Sequence, residues 1–416
     1  MSLISFSGLR RKIMFPLFLA FVSLQSAVAG PFEDDKLVSA NVGFAFDLMR
    51  QVVQAQPDAN IFLSPFSVST VLQMAENGAK GQTKKEMQQV LKTSGLPPGA
   101  MHESFKDVNA ELLSRKGVTL NLANGIWFQQ GLQLKPDFIT DDKKFFLAEL
   151  AGVDFAKPQS AQIINDWADQ QTKGKIKDVV RYPFPPLTRL ILANAIYFKG
   201  KWSAPFDKQL TKPRDFHLSQ GKVKSTQMMS LQMQFRYRES ADFQAVQLSY
   251  VGRLKMEILL PAKNSSPQKL LDSLKNQEGR KNALLRFQVR EGTLMLPKFK
   301  LDYETQLNEP LKALGMKSAF GNTADFSGMA DEPLLISEVK QKSFVEVNEE
   351  GTEAAAVTGL TFRTWGIERD PPKPFEMIVD RPFLFSITDD SSIAWDDDLH
   401  ESILFMGVVN DPTSGN

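Results

Sequence analysis

An α+β fold, one large domain with helices early and strands late, is predicted by three observations. Helical periodicity is concentrated in the first 172 residues, period-two alternation dominates from Leu190 onward, and no Gly/Ser-rich linker, sharp charge shift or internal repeat divides the 416 residues. Residues 38–54 carry apolar side chains at helical spacing. Residues 67–76 and 83–91 read as helices too, the latter opened by Thr83 as a cap. Residues 120–128 alternate as a strand and 161–172 return to helix, after which 190–198, 243–248, 255–260, 294–301 and 334–347 read as strands.

The first 29 residues stand apart. Arg10-Arg11-Lys12 precedes a mainly apolar stretch, 13–24, and Ala27-Val28-Ala29 precedes Gly30, which is the order of a secretory signal peptide. Twelve residues are too few to span a bilayer, so a secreted or exported soluble chain beginning near Gly30 is expected, with 30–416 as its single domain. Losing three basic residues and no acid moves the formal charge from +1 to −2, and near-neutrality argues against nucleic acid as the main partner. The chain has no cysteine, so neither a disulfide nor a thiol nucleophile is available. Its three histidines, His102, His217 and His400, sit in no Gly-x-Ser-x-Gly or His-Glu-x-x-His context. No P-loop or dinucleotide fingerprint is present either, so neither an enzyme nor a cofactor or metal is expected. The lysines and arginines between 84 and 116 are scattered among acids and predict no strong heparin site.

The most informative stretch is Glu349, Glu350, Gly351, Thr352, Glu353, Ala354, Ala355, Ala356, Val357 and Thr358. It follows an alternating segment, 343–348, and leads into a long proline-containing loop. Thr352, Ala354, Ala356 and Thr358 would share one face, and all four are small enough to slide between existing strands. Gly351 is a permissive pivot. Such a run could be loop or inserted strand.

It resembles the hinge of the serpins, the serine-protease-inhibitor family. Further matches follow in family order over residues 31–412: NIFLSPFSVS at 60–69 with GAKGQT at 78–83, LANAIYFKGKW at 192–202, LGM at 314–316, ADFSGM at 324–329 and MIVDRPFLFSI at 377–387. The resemblance implies three sheets, about nine helices and an exposed reactive-centre loop at about 351–381. It also implies a monomer that inhibits serine proteases once. The protease cuts the loop, the freed hinge inserts as a new central strand, and the enzyme is carried along as a distorted acyl complex.

Fourteen residues past Gly351, the family's spacing, lies Trp365-Gly366 as the scissile bond. An aromatic there suits a chymotrypsin-like pocket. Arg363-Thr364 is the second choice and would suit a trypsin-like enzyme, with Phe362 behind it. Storage, carrier or chaperone-like members usually carry charged, bulky or proline residues at inward hinge positions, and this hinge has none. By the same resemblance Trp202, Lys298 and Glu349 form the breach where insertion begins, and Ser64, Ser67, Asn194 and Gln341 form a buried polar shutter. Gln341 departs from the histidine common in relatives, so little pH dependence of insertion is expected between about pH 5 and 8. Two loops look long for the family, GIERDPPK at 366–373 and the acidic stretch 389–401.

Overall fold

The structure is a computed structural model and describes residues 31–219, 221–284, 286–352, 373–389 and 402–415. The signal-peptide assignment, hinge residues 353–358, the bait residues 362–366 and the acidic tip 396–398 lie outside them.

Among the described residues the helices are α1 (Pro31–Ala55), α2 (Pro65–Asn77), α3 (Gly81–Leu91), α4 (Pro98–Ser114), α5 (Pro136–Phe146), α6 (Gln159–Gln171), α7 (Pro267–Ser273), α8 (Gln277–Leu284) and α9 (Asn308–Leu314). Proline opens α2, α4, α5 and α7, where its missing N–H costs nothing and its fixed φ suits the first turn. Ser64 caps α2 by accepting from the Ser67 amide at 3.3 Å. Thr83 does not cap α3 as the sequence suggested. It lies inside the helix, fully buried, and its Oγ1 accepts the Asp325 amide at 3.0 Å, so tertiary bonding took the group that a local cap would have used. No helix among the described residues is long and apolar enough to cross a membrane.

The first eight strands are β1 (Ile61–Leu63), β2 (Val118–Gln129), β3 (Glu149–Val153), β4 (Leu190–Lys201), β5 (Lys212–His217), β6 (Val223–Glu239), β7 (Phe243–Ser249) and β8 (Leu254–Pro261). The remainder are β9 (Gln288–Pro297), β10 (Phe299–Gln306), β11 (Glu338–Asn348), β12 (Gly351–Thr352), β13 (Phe375–Ile378), β14 (Phe383–Asp389) and β15 (Ile403–Val409). The stretch 294–301 is not one strand. The chain breaks at Lys298, passing from β9 in one sheet to β10 in the other, and the apolar alternation shifts phase there, from Leu294 and Leu296 to Phe299 and Leu301. In the stretch 334–347, strand pairing starts only at Glu338; Leu334 and Ile336 are buried ahead of it, with the Ile336 amide donating to Ala319 O at 2.9 Å.

One ladder runs β1-β15-β14-β8-β7-β6-β9-β13, with β5 paired to β6. The 17-residue β6 pairs β5 and β9 along most of its length and β7 at its end, so two of the three implied sheets run together through this strand. The central sheet has the order β10-β11-β12-β4-β2-β3. In it β4 reads as an almost continuous apolar run because both faces are covered. Leu190, Leu192, Ile196 and Phe198 enter the main core with α1 and α2, while Ile191, Ala193, Ala195 and Tyr197 pack under α6 with Trp127 and Trp167. That burial supplies the stability a cysteine-free chain needs.

Candidate functional site

β11 and β4 pair in parallel from Glu338 opposite Ile191 up to Phe344 opposite Tyr197. Above that rung they part, and the two-residue β12 lies between them, Gly351 opposite Lys201 and Asn348, Thr352 opposite Gly200 and Val347. The first turn of the predicted hinge is thus already seated as strand. Gly351 adopts φ +142° and a Cβ there would lie 2.2 Å from the Gly200 carbonyl oxygen, so only glycine fits. Thr352 is fully buried, and its hydroxyl shares a 2.8 Å hydrogen bond with that of Tyr250. The Tyr250 ring stacks on Trp202 at 4.4 Å. Burial pushes the Tyr250 hydroxyl well above its ordinary pKa, so it stays protonated.

The three breach residues come together here. Glu349, 5 % exposed, receives Lys298 Nζ at 2.9 Å on one oxygen and Thr211 Oγ1 at 2.8 Å on the other. Trp202 donates its indole N–H to the Asn348 carbonyl at 3.0 Å, and its backbone amide bonds Glu350 O. Glu350 itself pairs with Lys208. Burial alone would raise the Glu349 carboxyl, but the hydrogen bonds and charge of Lys298, with help from Thr211, hold it below the ordinary carboxylate value. A carboxyl depressed in the fold stabilises above its unfolded value and loses that contribution as pH falls through the folded value. The Tm difference between the native chain and Glu349→Gln should therefore be largest near neutrality and close below about pH 4.5, as a calorimetric pH series would show.

Lower in the same seam, Gln341 is 1 % exposed and fully engaged. Its Oε1 accepts the Ser64 amide at 2.9 Å, and its Nε2 donates to Ser64 O at 3.0 Å and Asn194 Oδ1 at 2.7 Å. Asn194 in turn donates to Asn124 Oδ1 at 2.8 Å, and Ser64 Oγ to Leu404 O at 2.7 Å. Ser67 joins only through its backbone amide, its hydroxyl finding no partner among the described residues. Gln341→Ala would leave three buried groups unsatisfied and a void. A loss of about 2–4 kcal/mol is expected, read as an earlier first transition in urea. Tyr250, Thr211 and Asn124 were not anticipated. An isolated tyrosine, threonine or asparagine carries no local pattern that marks a partner more than a hundred or seventy positions away.

Residues 39–412 match the family model described as Serpin (serine protease inhibitor). The chain is 37% identical to Iripin-2 of Ixodes ricinus over 91% of its own length and 94% of that protein. It is 36% identical to the leukocyte elastase inhibitor of Bos taurus over 91% of its length and all of that protein. Among solved structures it superposes on Serpin48 of the insect Tenebrio molitor with TM-score 0.78, 32% identity and 92% of this chain covered, all of that chain matching. It superposes on human thyroxine-binding globulin with TM-score 0.81, 27% identity and the same coverage. With a family model spanning nearly the whole chain and such identity across nine-tenths of it, the chain belongs to the serpin family.

Proposed function

We propose that the protein is an exported, single-use inhibitor of serine proteases that traps its target as an acyl complex when the cut loop inserts between β11 and β4. The observation that carries this reading is the seated pair Gly351–Thr352, which occupies the top of the gap that an inserted strand would fill. Below it the seam is sealed mainly by a parallel ladder and the Gln341 hydrogen bonds. A chymotrypsin-like target follows from Trp365 at the bait position, with a trypsin-like enzyme engaging Arg363 as the second choice. Export follows from the basic, apolar and small-residue order of the first 29 residues.

Mixing the mature chain with chymotrypsin, elastase and trypsin separately tests the reading. A complex that survives denaturation, releasing a carboxy-terminal fragment that begins at Gly366, is the expected result; a fragment beginning at Thr364 would move the target to trypsin-like enzymes. The likeness to thyroxine-binding globulin favours a carrier role as the competing reading. A carrier would be cleaved in the loop with no complex and no gain in thermal stability.

A further inference from the structure

The inward face of α4 is half apolar and half polar. Met101, Phe105 and Leu112 are buried beside His102, Ser104 and Asn109. His102 Nε2, Ser104 Oγ and Asn109 Oδ1 are themselves buried and find no hydrogen-bond partner among the described residues. An unpaired buried polar group is destabilising, so the docked helix carries a standing penalty. The contact between α1 and α2 differs, because there Ser69 Oγ donates to Asn41 Oδ1 at 2.6 Å. The start of α4 also lacks a side-chain cap, since Pro97 precedes it. Its far end is fastened, with Arg115 Nη2 reaching Glu111 at 2.7 Å and Asp389 on β14 at 2.9 Å.

His102 lies in the loosely held half, 6 % exposed, with its ring centre 5.3 Å from those of both Phe145 and Phe146 on α5. Burial among these rings holds the imidazole below its ordinary pKa; Asp141 on α5 and Glu103 on its own helix favour a proton, and Lys84 on α3 opposes one. Glu103 is itself paired with Lys106 at 3.1 Å and Lys144 at 3.7 Å. Helix α1 supplies none of the charges that act on the ring, and β2 has no charged residue. A histidine lowered in this way contributes its stability in full above about pH 6.5 and loses it as pH falls through the folded value.

Across the contact, Asp142 of α5 is fully buried, its Oδ1 accepting from Asn77 Nδ2 at 3.1 Å and its Oδ2 without a partner among the described residues. Burial, with Asp141 next to it, pushes this carboxyl well above the ordinary carboxylate value. The stability that a raised carboxyl lends α5 is present in acid and is lost only as pH rises through the folded value. The two helices therefore answer acid with opposite signs.

We propose that α4 is an acid-released helix: a proton on His102 frees its amino-terminal half from α5 and uncovers Phe105, Phe145 and Phe146, while the Arg115 end stays fastened. Charging the imidazole where it has neither water nor a carboxylate partner favours the state in which the ring reaches solvent. Phe105 packs at 5.4 Å on Phe146 and at 6.4 Å on Phe66 of α2, and Phe66 stands two residues after Ser64, which holds Gln341. Release thus takes support from behind the central seam, and the pH sensitivity that Gln341 does not supply enters through α4.

Hydrogen exchange read by mass spectrometry on the mature chain, between about pH 5 and 7.5, tests this. After correction for intrinsic exchange rates, the open fraction of residues 99–110 should rise by up to about tenfold per pH unit below about pH 6.5, as one proton requires, while α5 stays protected. A dye that binds apolar surface should brighten over the same interval. His102→Leu should flatten the α4 profile. Asp141→Asn, at a half-buried site, removes a charge that favours the proton and should move the rise to lower pH, which keeps the test decisive if the leucine variant folds poorly. A native α4 profile that is flat with pH, an unmoved rise in either variant, or α4 and α5 opening together overturns the proposal.

Discussion

Thr352→Arg should convert the protein from an inhibitor into a substrate. The native hydroxyl is fully buried between β11 and β4 and bonded to Tyr250. A guanidinium is far larger than the hydroxyl that Thr352 packs against the stacked rings of Tyr250 and Trp202, so it either buries its charge there or keeps the strand out of the gap. Keeping the strand out is the cheaper outcome. The loop would still be cut at the bait bond, but insertion would lag behind deacylation and the protease would escape. Covalent complex should fall more than about tenfold, which corresponds to a change of only about 1.4 kcal/mol in the balance of the two rates, and cleavage should leave Tm almost where it was. Thr352→Val, which keeps size and loses only the shared hydrogen bond, should cost about 1 kcal/mol and retain complex formation. Comparing the two variants by denaturing gel and thermal melt separates charge from shape. Abundant complex from the arginine variant would mean that the pair at the top of the seam is not the start of insertion.

Glu349→Lys should loosen the same region from the side. The carboxylate it removes is the shared acceptor of Lys298 and Thr211, and the ammonium it adds faces Lys298 across a distance the native pair spans at 2.9 Å. Breaking a buried pair typically costs about 3–5 kcal/mol, but Lys298 keeps 40 % of its surface in water, so about 2–3 kcal/mol is the better expectation here. Because the Glu349 carbonyl also accepts the Phe206 amide and the Trp202 amide bonds Glu350 O, the disturbance reaches the backbone that holds the gap. Mild heating followed by native electrophoresis should show polymers at temperatures where the native chain is still monomeric. An unchanged monomer fraction would count against a role for this pair in keeping the sheet closed.

Much of this was legible in the residues. The alternation of Val345 and Val347 against Phe344 and Glu346 placed a strand just before the hinge, and the small residues after it pointed to a segment able to change places. The resemblance then brought Glu349 to Lys298 and Gln341 to Ser64 and Asn194, contacts that the structure contains. Other features left no decisive local trace. Thr83 looked like a cap because a threonine ahead of an apolar run usually is one, yet a tertiary bond to Asp325 claimed it. The split at Lys298 was ambiguous, because it shows only as a one-residue shift of apolar phase from Leu294 and Leu296 to Phe299 and Leu301, which a bulge within one strand would also produce. Nor did period or propensity reveal that Gly351 and Thr352 already sit in the sheet, since that depends on how far β4 and β11 diverge.

The seated pair also turns the sheet into a ruler. With Thr352 fixed opposite Gly200, a strand continuing in that register would bring Phe362 opposite Leu190, the lowest residue of β4. An acyl bond to Arg363 would then hang one residue below the sheet and a bond to Trp365 three, a difference of about 7 Å in leash length. The floor under that leash is the proline-rich stretch 182–187, beside the lower ends of β2 and β4. A captive on the shorter leash would be pressed harder against that floor. On the insertion reading, the bait residue would decide which enzyme bites and also the mechanical load under which it is then held.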